Sequence, residues 1–144
     1  MHLVAEFSGD EIAEALRAAV SAAEHLGVAV SCAIVDGGGV LKAFYRMDGA
    51  EVAGATLAID KAYTAVAHRA ETQELKRDAE PGGSLFGLFA QAGGRYVTFA
   101  GGLPVWWNRR VIAGIGVSGG SPAEDSACAR AAQEILKGYL PLGT

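Results

Sequence analysis

The 144-residue sequence has little cysteine and no concentration of positive charge, and each shortage excludes a class of protein. Its two cysteines, Cys32 and Cys128, form no C-x-x-C motif and are too few for a structural zinc site. We therefore expect two small buried thiols. A formal net charge of -4 without a basic run argues against nucleic acid or an anionic membrane surface as the main partner.

Long apolar runs and sorting signals are also missing. No segment approaches the roughly 20 apolar residues that a membrane helix needs. The first residues, MHLVAEF, lack the basic region, hydrophobic stretch and cleavage site of a secretory signal. These absences predict a soluble, cytoplasmic protein without a membrane partner. The length predicts a single domain over residues 1–144.

Glycine is abundant, at 20 residues, and its pairs and triplets separate segments of clear periodicity, as turns do in an ordered domain. Capping residues and apolar spacing predict helices that begin near Ser8, Asp48 and Ser121. Alternating or β-rich segments predict five strands, at 28–35, 40–47, 96–99, 103–107 and 111–117. This order predicts an α+β fold in which helices cover a five-stranded antiparallel sheet.

The stretch GIGVSG, residues 114–119, matches the dinucleotide-binding pattern G-x-G-x-x-G. That fingerprint needs another parallel strand after the helix and an acidic residue about 20 positions further on. Here the helix after Gly120 is the last predicted element, so the context is missing. In a strand, Gly114 and Gly116 leave one face without side chains. Either a helix packs against that face, or the face contributes to a ligand cleft together with Ser118.

Four segments carry a family likeness: GVAVSCAIVDGGGVLKAFYRMDGA, AIDKAYTAVAHRAETQEL, FAGGLPV and VIAGIGVSGGSPAEDSACARAA. In this order and spacing they resemble the GlcG/HbpS family of small haem-binding proteins, which is similar to the C-terminal part of PduO cobalamin adenosyltransferases. The resemblance implies a profilin-like fold of α/β/α layers and a homo-oligomer. It also implies binding of haem or a related tetrapyrrole, with haem degradation or redox sensing in some members.

The resemblance leaves two matters open. The family's hairpin before the last strand often carries a glycine-containing turn, whereas this chain has NRR at residues 108–110, which places two cations at that corner. No single shared motif fixes haem ligation, so the resemblance names no axial ligand.

The second predicted helix carries the main candidate site. Asp60, Lys61, Thr64 and His68 recur at three- or four-residue spacing and therefore share one side of the helix. Two interpretations are open: a solvated face with ordinary ion pairs, or the wall of a cleft. In the cleft, Lys61 would meet a ligand carboxylate, Thr64 would hydrogen-bond it, and His68 would ligate a metal or act as acid or base.

Further candidates lie outside that helix. Arg46 suits bidentate capture of a carboxylate such as a haem propionate, the alternative being an exposed arginine beside a helix cap at Asp48. His25, near the negative end of the first helix, is either a solvated histidine or a second candidate axial ligand of haem. The glycine-rich candidates for the ligand cleft are Gly101, Gly102, Gly116 and the adjacent Ser118.

Three functions stay open at this point. The first is a protein that binds haem or a related tetrapyrrole. The second is an enzyme acting on a small carboxylate or carbonyl metabolite, with Lys61, His68 or Asp60 as acid or base. The third is a structural or regulatory subunit without a ligand. The first two depend on one expectation, that the bare side of the last strand and the polar side of the middle helix border a shared hollow.

Overall fold

The computed structural model describes residues 1–142, so the last two residues of the predicted domain lie outside it. Along the chain follow α1 (Gly9–Leu26), β1 (Ser31–Asp36), β2 (Leu41–Arg46), α2 (Val52–His68), a 3₁₀ turn (Thr72–Leu75), α3 (Lys76–Ala79), 3₁₀ turns (Leu88–Ala90 and Ala92–Gly94), β3 (Gly102–Trp107), β4 (Arg110–Ser118) and α4 (Pro122–Gly138). Over this described range, no helix combines the length and apolarity required to cross a bilayer.

The strands form one antiparallel sheet in the order β2-β1-β4-β3, so β1 and β4 are central. Helices α1 and α4 cover one face and α2 covers the other. The predicted combination of helices with an antiparallel sheet is confirmed, and its layers run α/β/α.

The sheet has four strands within residues 1–142, not the five predicted. The segment 96–99 has strand-like composition, YVTF, but it runs along α2 instead of joining the sheet. Its Val97 N–H donates to the hydroxyl of Thr64 at 3.0 Å, where a strand would bond a neighbouring strand. Composition of this kind fits a half-buried extended segment, and only tertiary packing decides whether that segment finds a strand as its partner.

The predicted starts of the first and last helices are confirmed. Ser8 and Glu11 form a reciprocal capping box, with Glu11 N–H donating to Ser8 Oγ at 3.2 Å and Ser8 N–H donating to the Glu11 carboxylate at 2.8 Å. Ser121 and Glu124 form the same motif at α4. Each cap stabilises its helix by about 1 kcal/mol. Helix α2 has no side-chain cap bond at Glu51, so its stability depends more on packing.

The face of the sheet toward α2 is packed through glycine and alanine. A Cβ added at Gly116 would collide with the carbonyl oxygen of Ala58, and one at Gly114 would collide with the carbonyl of Ala62. The backbone of α2 therefore lies directly on β4. Of the two roles open for the bare face of this strand, the structure shows helix packing.

The outer edge of β3 is closed by side chains. Gly102 N–H donates to the hydroxyl of Thr72 at 3.0 Å. Pro104 has no N–H, and its carbonyl accepts a hydrogen bond from Gln133 Nε2 of α4 at 2.8 Å. At the opposite edge, β2 is largely exposed. The two edges of the sheet therefore differ in the backbone groups that they offer to solvent.

Candidate functional site

The polar side of α2 is covered by the segment that precedes β3. This polar row consists of Asp60, Lys61, Thr64 and His68. Arg95 Nε donates to Asp60 Oδ1 at 3.1 Å, and the hydroxyl of Thr64 accepts from Val97 N–H. The same hydroxyl donates to the carbonyl of Asp60 at 2.7 Å. Asp60, Thr64 and His68 thus hold the chain segment 95–97, whereas Lys61 points into the interior.

Aromatic rings extend this contact toward the end of α2. The Arg95 guanidinium lies 3.7 Å above the ring of Tyr63, and Tyr63 stacks on Tyr96 with centroids 6.1 Å apart. The ring of His68 meets Tyr96 edge-on at 4.6 Å. His68 Nε2 is buried and has no hydrogen-bond partner within the described residues. A ligand or metal would reach this nitrogen only after the covering segment moved.

Lys61 lies in the interior, with its side chain 1% exposed. Its ammonium donates to the carbonyl of Val117 at 2.9 Å and to Asp125 Oδ2 at 3.1 Å. The ring of Phe99 lies 5.1 Å from the ammonium and adds a cation–π contact. Asp125 also accepts from Gly120 N–H at 2.8 Å. Lys61 therefore links α2 to the end of β4 and the first turn of α4.

Burial dominates the electrostatics of this pair. Loss of solvent lowers the pKa of Lys61 below its usual value of 10.5, although the neighbouring Asp125 carboxylate opposes the shift. Loss of solvent likewise raises the pKa of Asp125 above 3.8, against the opposing charge of Lys61 and the Gly120 hydrogen bond. For both groups burial is the largest cause of the pKa shift, and the opposite charge of the partner acts against it. The pair is a specific link between elements, obtained at a cost in solvation.

The glycine-rich candidates surround this lysine. A Cβ at Gly101, whose φ is +120°, would lie 2.8 Å from Lys61 Nζ, and one at Gly102 would collide with the carbonyl of Lys61. Gly116 is covered by α2, and Ser118 is buried at the end of β4 beneath Gly54. At these positions the missing side chains make room for Lys61 and for the backbone of α2. The hollow that was expected between β4 and the polar side of α2 is therefore occupied by the α2 backbone, which lies directly on β4.

Arg46 and His25 lie away from the polar row. Arg46 is exposed at the end of the edge strand β2. His25 is exposed in the last turn of α1, and its Nδ1 is 2.8 Å from the carbonyl oxygen of Ser21. One turn earlier on α1 lies a groove of about 400 Å³, whose other wall is Tyr45 of β2. Its α1 lining consists of Leu16, Arg17, Val20, Ser21 and Glu24.

Three residues of the Lys61 and Asp60 contacts were missed by sequence reasoning: Asp125, Arg95 and Phe99. One signal could have found Asp125, because a lysine between alanines on a buried helix face requires a buried counter-charge. The carboxylate that follows the capping glutamate at 124 was available for that role. Among residues 1–142, no three histidine, cysteine, aspartate or glutamate side chains are grouped so that they could hold a metal ion.

Comparison with known families gives a match over most of the chain. Residues 7–134 match the family model described as haem degrading protein HbpS-like. The corrinoid adenosyltransferase PduO of Citrobacter freundii is 40% identical over 125 residues. That alignment covers 87% of this chain but 37% of PduO, so the chain spans little more than a third of this relative's length.

Solved structures share the same architecture. The crystal structure of protein ORFY from Klebsiella pneumoniae matches with a TM-score of 0.93 and 32% identity, covering 98% of this chain and 97% of the other. A crystal structure of PduOC in complex with haem matches with a TM-score of 0.88 and 37% identity, covering 91% and 95% respectively. The agreement extends over nearly the whole described chain.

Proposed function

Because the chain belongs to the HbpS-like family of haem-degrading proteins, we propose that it binds haem or a related tetrapyrrole. Support comes from the haem complex of PduOC, which shares the fold and 37% of the aligned residues. Within this chain we assign the tetrapyrrole to the groove between α1 and β2, with His25 as the candidate iron ligand. Haem bound there would supply a redox-active iron.

The observation that carries this assignment is the hydrogen bond of His25. A carbonyl oxygen only accepts, so the 2.8 Å contact with Ser21 places the donated proton on Nδ1, and in the neutral ring this leaves the lone pair on Nε2. A backbone carbonyl on the second ring nitrogen is the usual partner that orients a metal-ligating histidine. The ring is exposed, so Nε2 is accessible to an iron atom without rearrangement.

The surroundings of His25 also suit a tetrapyrrole. Residues 17, 21 and 25 lie on one face of α1 at four-residue spacing, so the histidine continues the wall of the groove. Leu16, Val20 and the ring of Tyr45 offer apolar surface to a planar ligand. Arg17 offers a guanidinium to a propionate. Arg46 follows Tyr45 on β2 and therefore faces the other side of the sheet, so it does not line this groove.

The groove covers a ligand from one side, and the homo-oligomer predicted from the family resemblance would provide a second wall. We retain that assembly as part of the proposal. Light scattering on the purified protein, with and without haem, measures it directly. A monomer in both states would remove the second wall and with it this part of the proposal.

The other candidates fit an iron ligand less well. His68 Nε2 is buried behind the segment that holds Tyr96. Lys61 and Thr64 bond protein atoms, and Gly101, Gly102, Gly116 and Ser118 make room for those contacts. An enzyme using Asp60, Lys61 or His68 as acid or base gains no support from the geometry, because each side chain is paired, buried or covered.

Haemin titration of the apo-protein tests the proposal. We expect a saturable Soret shift, and we expect His25→Ala to weaken haemin affinity by about tenfold or more through loss of the ligand. His68→Ala is the matched control, because it removes the same side chain from the opposite layer of the molecule, and its affinity should stay within about twofold of wild type. An unchanged affinity in His25→Ala, or no saturable shift at all, would refute the assignment. Haem degradation is then the activity to assay on the loaded protein.

A further inference from the structure

A second concavity lies at the end of the sheet where the two hairpin turns meet the end of α2. Its volume is about 640 Å³, and it is lined by the turn 37–39, by Tyr63 and by three of the chain's 12 lysine and arginine residues. These are Arg69 after α2, Arg109 in the β3–β4 turn and Arg110 at the start of β4. It shares no lining residue with the groove between α1 and β2.

The positive charge of this cavity is not neutralised by the residues that the structure describes. Arg69 and Arg109 form no ion pair or side-chain hydrogen bond within residues 1–142. The guanidinium of Arg110 has one side-chain hydrogen bond in this range, from Nη2 to His2 Nδ1 at 3.3 Å. The nearby carboxylate of Asp36 instead accepts the N–H groups of Gly38 and Val40 in its own turn. A protein with a net charge of -4 thus collects free guanidinium groups at one concave site.

Two of these arginines occupy backbone positions that favour glycine. Arg69 ends α2 with φ 53°, the left-handed conformation in which helices usually place glycine. Arg109 has φ 64° and follows Asn108 with φ 49° in a two-residue hairpin loop, where the second position is most often glycine. An arginine in this left-handed conformation lowers the free energy of unfolding by about 1 kcal/mol relative to glycine. The backbone conformation favours glycine at both positions and so gives no reason for an arginine there. Both arginines line the same cavity.

We propose that this cavity binds the phosphate group of a small organic molecule. Guanidinium groups match phosphate oxygens through paired N–H donors, and here they arrive from three separate segments. A tetrahedral phosphate presents oxygens in several directions, whereas a carboxylate presents two in one plane. The ring of Tyr63 and the side chain of Val66 give the organic part an apolar wall. The site is independent of the proposed haem groove.

Calorimetric titration of the full-length protein with phenyl phosphate and with inorganic phosphate, at low ionic strength, tests the proposal. We expect saturable binding of both, and about tenfold weaker binding in Arg69→Gly and in Arg109→Gly, since a charged hydrogen-bond pair is lost. Because glycine suits both backbone positions, neither variant should melt below wild type. Arg77→Ala is the control, since it removes an exposed arginine of α3 that does not line the cavity.

Three results would overturn the proposal. These are no saturable binding of either phosphate by the wild-type protein, an equal loss in Arg77→Ala, and binding of succinate as tight as that of phenyl phosphate. The last would identify a carboxylate site. Haemin affinity should stay unchanged in Arg109→Gly, so failure of the haem proposal and failure of this one give different results.

Discussion

The two faces of the sheet are packed by different means, although β1 and β4 contribute to both. Toward α1 and α4 the interior consists of aliphatic side chains such as Ile34, Leu103 and Ile115, which can adjust by changing rotamer. Toward α2 the contact at Gly114 and Gly116 brings the backbone of β4 against the backbone of α2, and the apolar cluster around it is smaller, with three alanines and Val35 buried. At Gly116 the three nearest atoms are all backbone atoms of α2, so an added carbon there meets no side chain that could move aside.

The largest effect is expected from adding one carbon to the α2 face. Gly116→Ala places a methyl group against the carbonyl of Ala58, a backbone atom that cannot rotate away. We expect the free energy of unfolding to fall by about 4 kcal/mol or more, at the upper end of single-residue effects. Urea denaturation followed by circular dichroism measures the loss.

The matched change on the other face is Val105→Ile, which also adds one carbon at a fully buried strand position. Its surroundings are side chains, so we expect a loss of about 1 kcal/mol. Equal losses in the two variants would show that the faces do not differ in tolerance, and would contradict the comparison.

A smaller effect is expected from breaking the charged link on the α2 side. Lys61→Met removes the ammonium and leaves Asp125 buried without its partner, which should lower the free energy of unfolding by about 3 kcal/mol. The double variant Lys61→Met/Asp125→Asn has no buried charge, and its amide oxygen can still accept from Gly120 N–H. We expect it to recover at least half of the loss. A double variant less stable than the single one would show that the pair is net stabilising.

The smallest effect is expected where the polar row holds the covering segment. Thr64→Val keeps the shape of the side chain but removes the hydroxyl that accepts from Val97 N–H. The free energy of unfolding should fall by about 1–2 kcal/mol, the cost of one buried unsatisfied group. Hydrogen exchange of the Val97 amide should be faster in the variant than in the wild-type protein, whereas exchange of the β4 amides should change less. Unchanged exchange at that amide would contradict a holding role for Thr64.

Local rules predicted those parts of the fold whose partners lie close in the sequence. The capping boxes at Ser8 and Ser121 connect residues three apart, and the hairpin between β1 and β2 turns within a few residues. The glycines of β4 were predicted to lie on one face, because strand periodicity alone requires it. The family likeness rested on motifs spread along the chain, and the match over residues 7–134 confirms it.

Contacts between distant segments were not predictable in the same way. The segment 96–99 has the composition of a strand, and only its position along α2 gives its N–H a hydroxyl partner. Lys61 shares the spacing of the polar residues of α2, and its partner Asp125 lies 64 positions away. Asp60, Thr64 and His68 were predicted to share one side of α2, but the segment that covers them lies 33 to 35 positions away from Asp60 and Thr64 along the chain, and no local pattern identifies it.

The closed edge of β3 limits how copies of this chain can aggregate. On its outer side the N–H of Gly102 and the carbonyl of Pro104 are bonded by Thr72 and Gln133, and Pro104 has no donor to offer, so this part of the edge is a poor template for a foreign strand. Of the two sheet edges within residues 1–142, the exposed β2 edge is the better one for adding another strand. Two sheets that met through β2 would each present a blocked edge outward, so growth of a cross-β fibre from the folded protein would stop at a pair.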